Sequence, residues 1–282
     1  MLKLILGVAL IVSTATAAAL DDARSAYQRS NYAEAARILT AAGPKTAAEF
    51  ALLGQSYFMS GDFKRASESL EKATAMEPAS SVYHHWLGRA YGRRAETSSP
   101  FTAPGLATKA RRSFERAVEL DDRNAEAVND LFEYYLEAPG FLGGGVDKAV
   151  ALSAKIRQID TVEYHYALAK IAEHRKDYQK AEEQLRMAAQ LAPRQIGRVL
   201  DLAKFLAKRG KIQESEAAFA QAEKIAPDNP KLLIERARTY IRSKRNLEEA
   251  RALLQRYLNA KLTPDLPSRE EAQKLLKESY GG

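Results

Sequence analysis

Small residues recur along this chain at positions where two helices would have to cross closely. Ala35, Ala66, Ala110, Ala149, Ala181, Ser215 and Ala250 follow one another at spacings of 31, 44, 39, 32, 34 and 35 residues. Apolar partners stand four and seven residues on, as in Ala110/Phe114/Ala117, Ala181/Leu185/Ala188 and Ser215/Phe219/Ala222, the period of one buried helical face. A turn signal precedes several of these helices: Ser30-Asn31-Tyr32, Gly61-Asp62-Phe63, Lys176-Asp177-Tyr178 and Gly210-Lys211-Ile212. Pro78, Pro193 and Pro227 stand where such helices should close, since proline cannot continue them. Seven two-helix units follow, and a unit that leaves an apolar face uncovered must stack on its neighbours. The expected fold is all-α, without a sheet.

The clearest unit runs from Ala47 to Ser80 and contains Leu53-Gly54, Tyr57, Gly61-Asp62-Phe63, Ala66, Leu70, Ala73 and Pro78. It resembles the tetratricopeptide repeat, a helix–turn–helix unit of about 34 residues. The resemblance implies a right-handed α-solenoid of about seven hairpins over residues 18–262. After Thr263-Pro-Asp-Leu-Pro267, Ser268 and Glu271 fit a capping box that opens a last helix, so residues 263–282 read as a capping helix and tail. Two connections depart from the repeat. Glu96 to Gly105 is about ten residues too long, and Ala138 to Gly145 adds about five, both on the same edge of neighbouring units. They are either tolerated surface insertions or a joint binding edge with Phe101 and Phe141 as apolar tips.

Lys3, the apolar run Leu4–Val12 and the small residues up to Ala19 have the order of a secretory signal peptide. Residues 1–17 are expected to be removed, with cleavage after Ala19 as the alternative, leaving a periplasmic or secreted protein with no stable membrane insertion. The chain has no cysteine, which removes disulfides, thiolate metal sites and cysteine nucleophiles together. Its 43 Lys and Arg against 36 Asp and Glu give a charge of +7, too modest to argue for a nucleic-acid partner.

No enzyme, metal or cofactor is expected. Gly143–Gly145 lack the spacing of a phosphate loop, no Ser occupies a nucleophile elbow, and adjacent His84 and His85 diverge on a helix too far to share one ion. His84 and His165 read as core residues at the fourth position of their repeats.

By the resemblance, the first helix of each hairpin lines a concave groove. The positions it implies as partner-binding include Tyr27, Phe58, His85, Arg89, Arg93, Asn129, Glu133, Tyr166, Lys170, Lys204, Lys208, Arg238 and Arg242, with Leu200 and Ile234 among their neighbours. Acidic residues concentrate in the middle and basic ones in the third, sixth and seventh units. Lys and Asn do not stand where the carboxylate clamp of some chaperone-binding relatives needs them. The expected function is a protein–protein interaction scaffold of the cell envelope, binding a peptide or helix of a partner. The alternative is a binder of anionic envelope polymer or glycan through the basic C-terminal groove.

Overall fold

The computed structural model describes residues 18–263 and 266–281. The export segment expected over residues 1–17 lies outside them. Among the described residues the regular structure is helical throughout: α1 (residues 18–28), α2 (Tyr32–Ala42), α3 (Ala47–Met59), α4 (Phe63–Met76), α5 (Ser81–Thr97), α6 (Ala103–Leu120), α7 (Ala125–Glu137), α8 (Val146–Ile159), α9 (Thr161–His174), α10 (Tyr178–Leu191), α11 (Ile196–Lys208), α12 (Ile212–Ile225), α13 (Pro230–Arg242), α14 (Leu247–Asn259) and α15 (Arg269–Glu278). No helix of the described residues is long and apolar enough to cross a membrane. The pairs α3/α4, α5/α6, α9/α10, α11/α12 and α13/α14 pack side by side as hairpins. The chain divides within α8 into two compact units, one ending at Lys155 and one beginning at Ile156.

The small-residue landmarks explain the hairpins. All seven are at most 1% exposed. At the α3/α4 crossing a Cβ on Gly54 would come within 2.6 Å of Leu70 Cγ and 3.0 Å of the Ala66 carbonyl, so the backbones approach as only small residues allow. Ser215 takes the same place in α12 because its hydroxyl donates to the Ala203 carbonyl at 2.8 Å, leaving no polar group unsatisfied. In α8 the pattern differs: Ala149 is followed at the fourth position by buried Ser153, whose hydroxyl donates to Val150, before Ile156 restores the apolar face.

The turn signals act through backbone handedness and capping. Ser30, Gly61, Lys176 and Gly210 all have positive φ, between 60° and 80°. Behind the first three, the side chains of Asn31, Asp62 and Asp177 accept the N–H of Glu34, Arg65 and Lys180, three residues on. Pro78, Pro193 and Pro227 each follow a helix C-cap directly.

At the start of α3, Thr46 and Glu49 form a full capping box, with Glu49 Oε2 accepting from Lys45 N at 2.7 Å and Thr46 N at 2.9 Å. Burial by itself would raise the Glu49 carboxyl, but these N–H donors outweigh it and hold the group below its ordinary value. A depressed carboxyl stabilises the fold above its unfolded pKa, and that contribution is lost as pH falls through the folded one. Glu49→Gln is therefore expected to cost about 1 kcal/mol at neutral pH. Urea unfolding of both proteins at neutral and acid pH should show the difference closing below the carboxylate range.

The first long connection is not the loop that its Ser, Thr and Pro content suggests. Its extra length goes into helix: α5 has 17 residues and α6 has 18, against 13 and 14 in α3 and α4. Pro104 sits in the first turn of α6, where the missing N–H costs nothing, and only residues 98–102 remain between the two helices. The second departure stays a loop, Ala138 to Gly145, with a single 3₁₀ turn over Gly140–Leu142.

At the far end of the second unit α15 lies on α13 and α14, with Ala272 fully buried between them and Tyr257 Oη donating to the Pro267 carbonyl at 2.6 Å. The expected capping box is half formed. Ser268 accepts the Glu271 N–H at 3.2 Å, while the Glu271 carboxylate accepts instead from Arg238 at 2.7 Å.

Candidate functional site

The thirteen groove positions divide between the two units. In the first, α3, α5 and α7 adjoin in sequence and carry Phe58, His85, Arg89, Arg93, Asn129 and Glu133, with Tyr27 on α1. The Arg89 guanidinium lies 4.4 Å from the Trp86 ring centre and 5.0 Å from that of Phe58, and its Nε stands 3.8 Å from Asp130. Phe58 and Trp86 meet edge to face at 5.5 Å. Arg89 is thus a half-buried link between α3 and α7 rather than a side chain projecting into solvent, and truncating it would cost packing as well as any partner contact. The Tyr27 hydroxyl is pushed up to about 12, first by burial and then by Tyr32.

Neither His85 nor His84 takes the place expected of it. His85, read as groove-lining, is only 2% exposed, with Nε2 2.8 Å from Asp130 Oδ2 and Nδ1 3.8 Å from Glu126. It is buried because α7 covers that face of α5. His84, read as core, is half-buried and places Nε2 3.1 Å from the Pro78 carbonyl. Half-buried His165 pairs with Gln184 at 2.7 Å. Arg93 does not join the aromatic cluster: it lies 5.1 Å over Phe63 of α4 and pairs with Glu96. Asn129 is half-buried and Glu133 exposed on α7.

In the second unit the odd-numbered helices carry a ladder of alternating charge. Glu163 accepts from Arg198 at 2.7 Å, and Arg198 donates to Asp201 at 2.8 Å. Lys204 stands 3.0 Å from Asp201 and 3.3 Å from Glu235. Arg238 then joins Glu235 at 2.5 Å to Glu271 at 2.7 Å, and Lys208 pairs with Glu173 at 3.1 Å. Burial opposes the Lys204 ammonium, but Asp201 and Glu235 together raise its pKa above the usual value. Burial raises the Glu163 carboxyl despite Arg198, with Asp160 and Asp201 adding to the effect. The basic band expected here is therefore largely compensated. Asp201 and Glu235, absent from the expected groove, supply the compensation. Leu200 and Ile234 are wholly buried core residues, turned away from the face that their positions implied.

Against this ladder lies a cavity of about 660 Å³, lined by Tyr166, Leu185 and Phe205 and by polar groups that include Lys170, Lys204, Arg238 and Arg242. Tyr166 is covered by Arg198, whose guanidinium lies 4.2 Å from its ring centre. Lys170 and Arg242 are the two cations of this lining with no ion-pair partner among the described residues. Sequence reasoning named both, and missed Trp86, Asp130, Asp201 and Glu235. The last two could have been found, since each stands three residues before a groove cation on one helix face.

Stacked helical hairpins with a charged face on their first helices define a repeat protein of the scaffold class. Models of the tetratricopeptide repeat match residues 50–80, 147–196 and 206–276, and the chain carries tetratricopeptide repeats. Among solved structures, a tetratricopeptide repeat protein from Parabacteroides merdae matches with a TM-score of 0.62 and 16% identity, covering 95% of this chain and 99% of that one. A thermophilic TPR protein of Thermus thermophilus matches with a TM-score of 0.55 and 20% identity, over 68% of this chain and 99% of that one. At these identities the likeness is one of fold. No curated protein matches the chain. Repeats of this family generally serve as surfaces for protein partners and are typically not catalytic.

Proposed function

We propose that this chain is an exported interaction scaffold of the periplasm or cell envelope, and that its second unit takes a peptide or helix of a partner protein. The cavity beside the charge ladder carries this reading. Half-buried Tyr166 gives the lining an aromatic edge above buried Leu185 and Phe205, and Lys170 and Arg242 offer charge that no carboxylate of the described chain answers. A partner segment that brings its own carboxylate beside an apolar residue fits that lining. Capture from envelope extract should yield a protein retained through a high-salt wash. The double substitution Lys170→Glu and Arg242→Glu should weaken its retention about tenfold or more. Unchanged capture by this variant would remove the cavity from the function, and salt-sensitive retention on cell-wall polymer would favour a polymer binder instead.

Export rests on Lys3, the apolar run and the small residues that follow. N-terminal sequencing of protein recovered from cells should begin at Ala18 or Leu20. An intact Met1 on membrane-bound material would end the proposal of a cleaved, periplasmic form.

A further inference from the structure

The first helices of the second unit repeat in one register. Ala169, Ala203 and Ala237 stand 34 residues apart on α9, α11 and α13, and none has exposed surface. Ala172, Leu206 and Tyr240 follow at the same interval and are at most 3% exposed. In this register Lys208 and Arg242 are equivalent, each the last residue of its helix, and Glu173 and Ala207 are equivalent, each one place before the last. Equivalent positions on stacked hairpins meet the same kind of neighbour, so a pair formed at one junction has its counterpart placed at the next.

The two pairs differ in one group. Glu173 reaches from α9 to α11 and meets Lys208 at 3.1 Å. One hairpin on, α11 packs on α13 and both Ala207 and Arg242 line the cavity, but a methyl group stands where the carboxylate stood. The carboxylates of the lining are already engaged: Glu173 by Lys208, Asp201 by Arg198 and Lys204, and Glu235 by Lys204 and Arg238. Arg242 is exposed in the last turn of α13 and Ala207 is half-buried at the cavity wall, so the place opposite the guanidinium is open rather than packed. The chain supplies a carboxylate at this place in one hairpin and withholds it in the next. A guanidinium left in this way, beside an aromatic edge, favours a partner that brings the missing charge and disfavours one that does not.

We infer that an aspartate or glutamate side chain of the docked segment lies over Ala207 and pairs with Arg242, as Glu173 pairs with Lys208 within the chain. A side chain is the source rather than a chain end, because the place is the one that a glutamate side chain fills one hairpin earlier. The inference rests on the cavity's being a peptide site and adds the residue class and position of one contact. It is tested on the full chain with random heptapeptides displayed with their C-termini fused to the carrier, which offer side-chain carboxylates alone. Wild type should select peptides rich in Asp or Glu. Ala207→Glu, which answers Arg242 from within, should lower that enrichment about tenfold, and Arg242→Ala should lower it as far. Ala207→Gln fills the same space but leaves the guanidinium unanswered, and should keep the acid preference. Peptides selected without an acid preference, or a preference undiminished by Ala207→Glu or Arg242→Ala, would overturn the inference and leave the peptide site standing. Binders found only in a library with free C-termini would assign the carboxylate to a chain end and overturn it too. No binder from either library would instead remove the peptide reading of the cavity itself.

Discussion

Ala181→Trp is expected to lower the stability of the second unit by about 3 kcal/mol, read as a fall in its thermal unfolding midpoint. Ala181 has no exposed surface and belongs to the apolar cluster that joins Leu185, Ala203, Phe205 and Phe219. An indole there cannot find room without driving α10 away from its neighbours, because small landmark residues set how closely the helices approach. Glu183→Trp, on the exposed side of the same helix, serves as the control and should leave the midpoint nearly unchanged. A midpoint equally untouched by Ala181→Trp would mean that the recurring small residues do not mark the helix crossings.

Glu235→Ala is expected to cost about 2 kcal/mol at neutral pH. Glu235 is 13% exposed and stands between Lys204 and Arg238, the latter 16% exposed. Removing it leaves two cations facing each other with one carboxylate fewer, and a broken buried pair costs more than an intact one contributes. The loss is smaller than for a fully buried pair because Lys204 is 37% exposed and solvent screens it. Urea unfolding should show the loss. Glu235→Gln, which keeps the shape and hydrogen-bonding capacity but not the charge, should recover only part of it. If both variants unfold with wild type, the ladder contributes nothing to the fold.

Much of the architecture was legible because repetition multiplies a weak signal. One buried small residue says little, but seven positions, six of them with a shared apolar neighbour pattern, fix helix faces, and each is buried as read. The turns were legible for a local reason: in three of the four an Asx side chain caps the next helix, and in two a glycine takes the positive φ. The first long connection was misread because Ser, Thr and Pro suggest a loop, whereas proline is at home in the first turn of α6. The groove was less legible, since side-chain direction there is settled between neighbouring hairpins. His85 is buried by α7, and Asp201 and Glu235 matter through residues of other hairpins as well as their own.

One rung of the charge ladder also constrains the order in which hairpins can follow one another. Apolar crossings built from alanine and leucine are nearly interchangeable, so a duplicated or deleted hairpin would find much the same hydrophobic neighbour. One charged rung does not permit this. With α11 and α12 excised and the later hairpins advanced by the repeat spacing of 34 residues, Glu235, Arg238 and Arg242 would take the places of Asp201, Lys204 and Lys208 with their charges kept, but Leu232 would occupy the place of Arg198 and leave Glu163 without its guanidinium. The Glu163–Arg198 rung is therefore a serial address for one junction, written in charge, and a shuffled array that preserved every alanine landmark would still misread it.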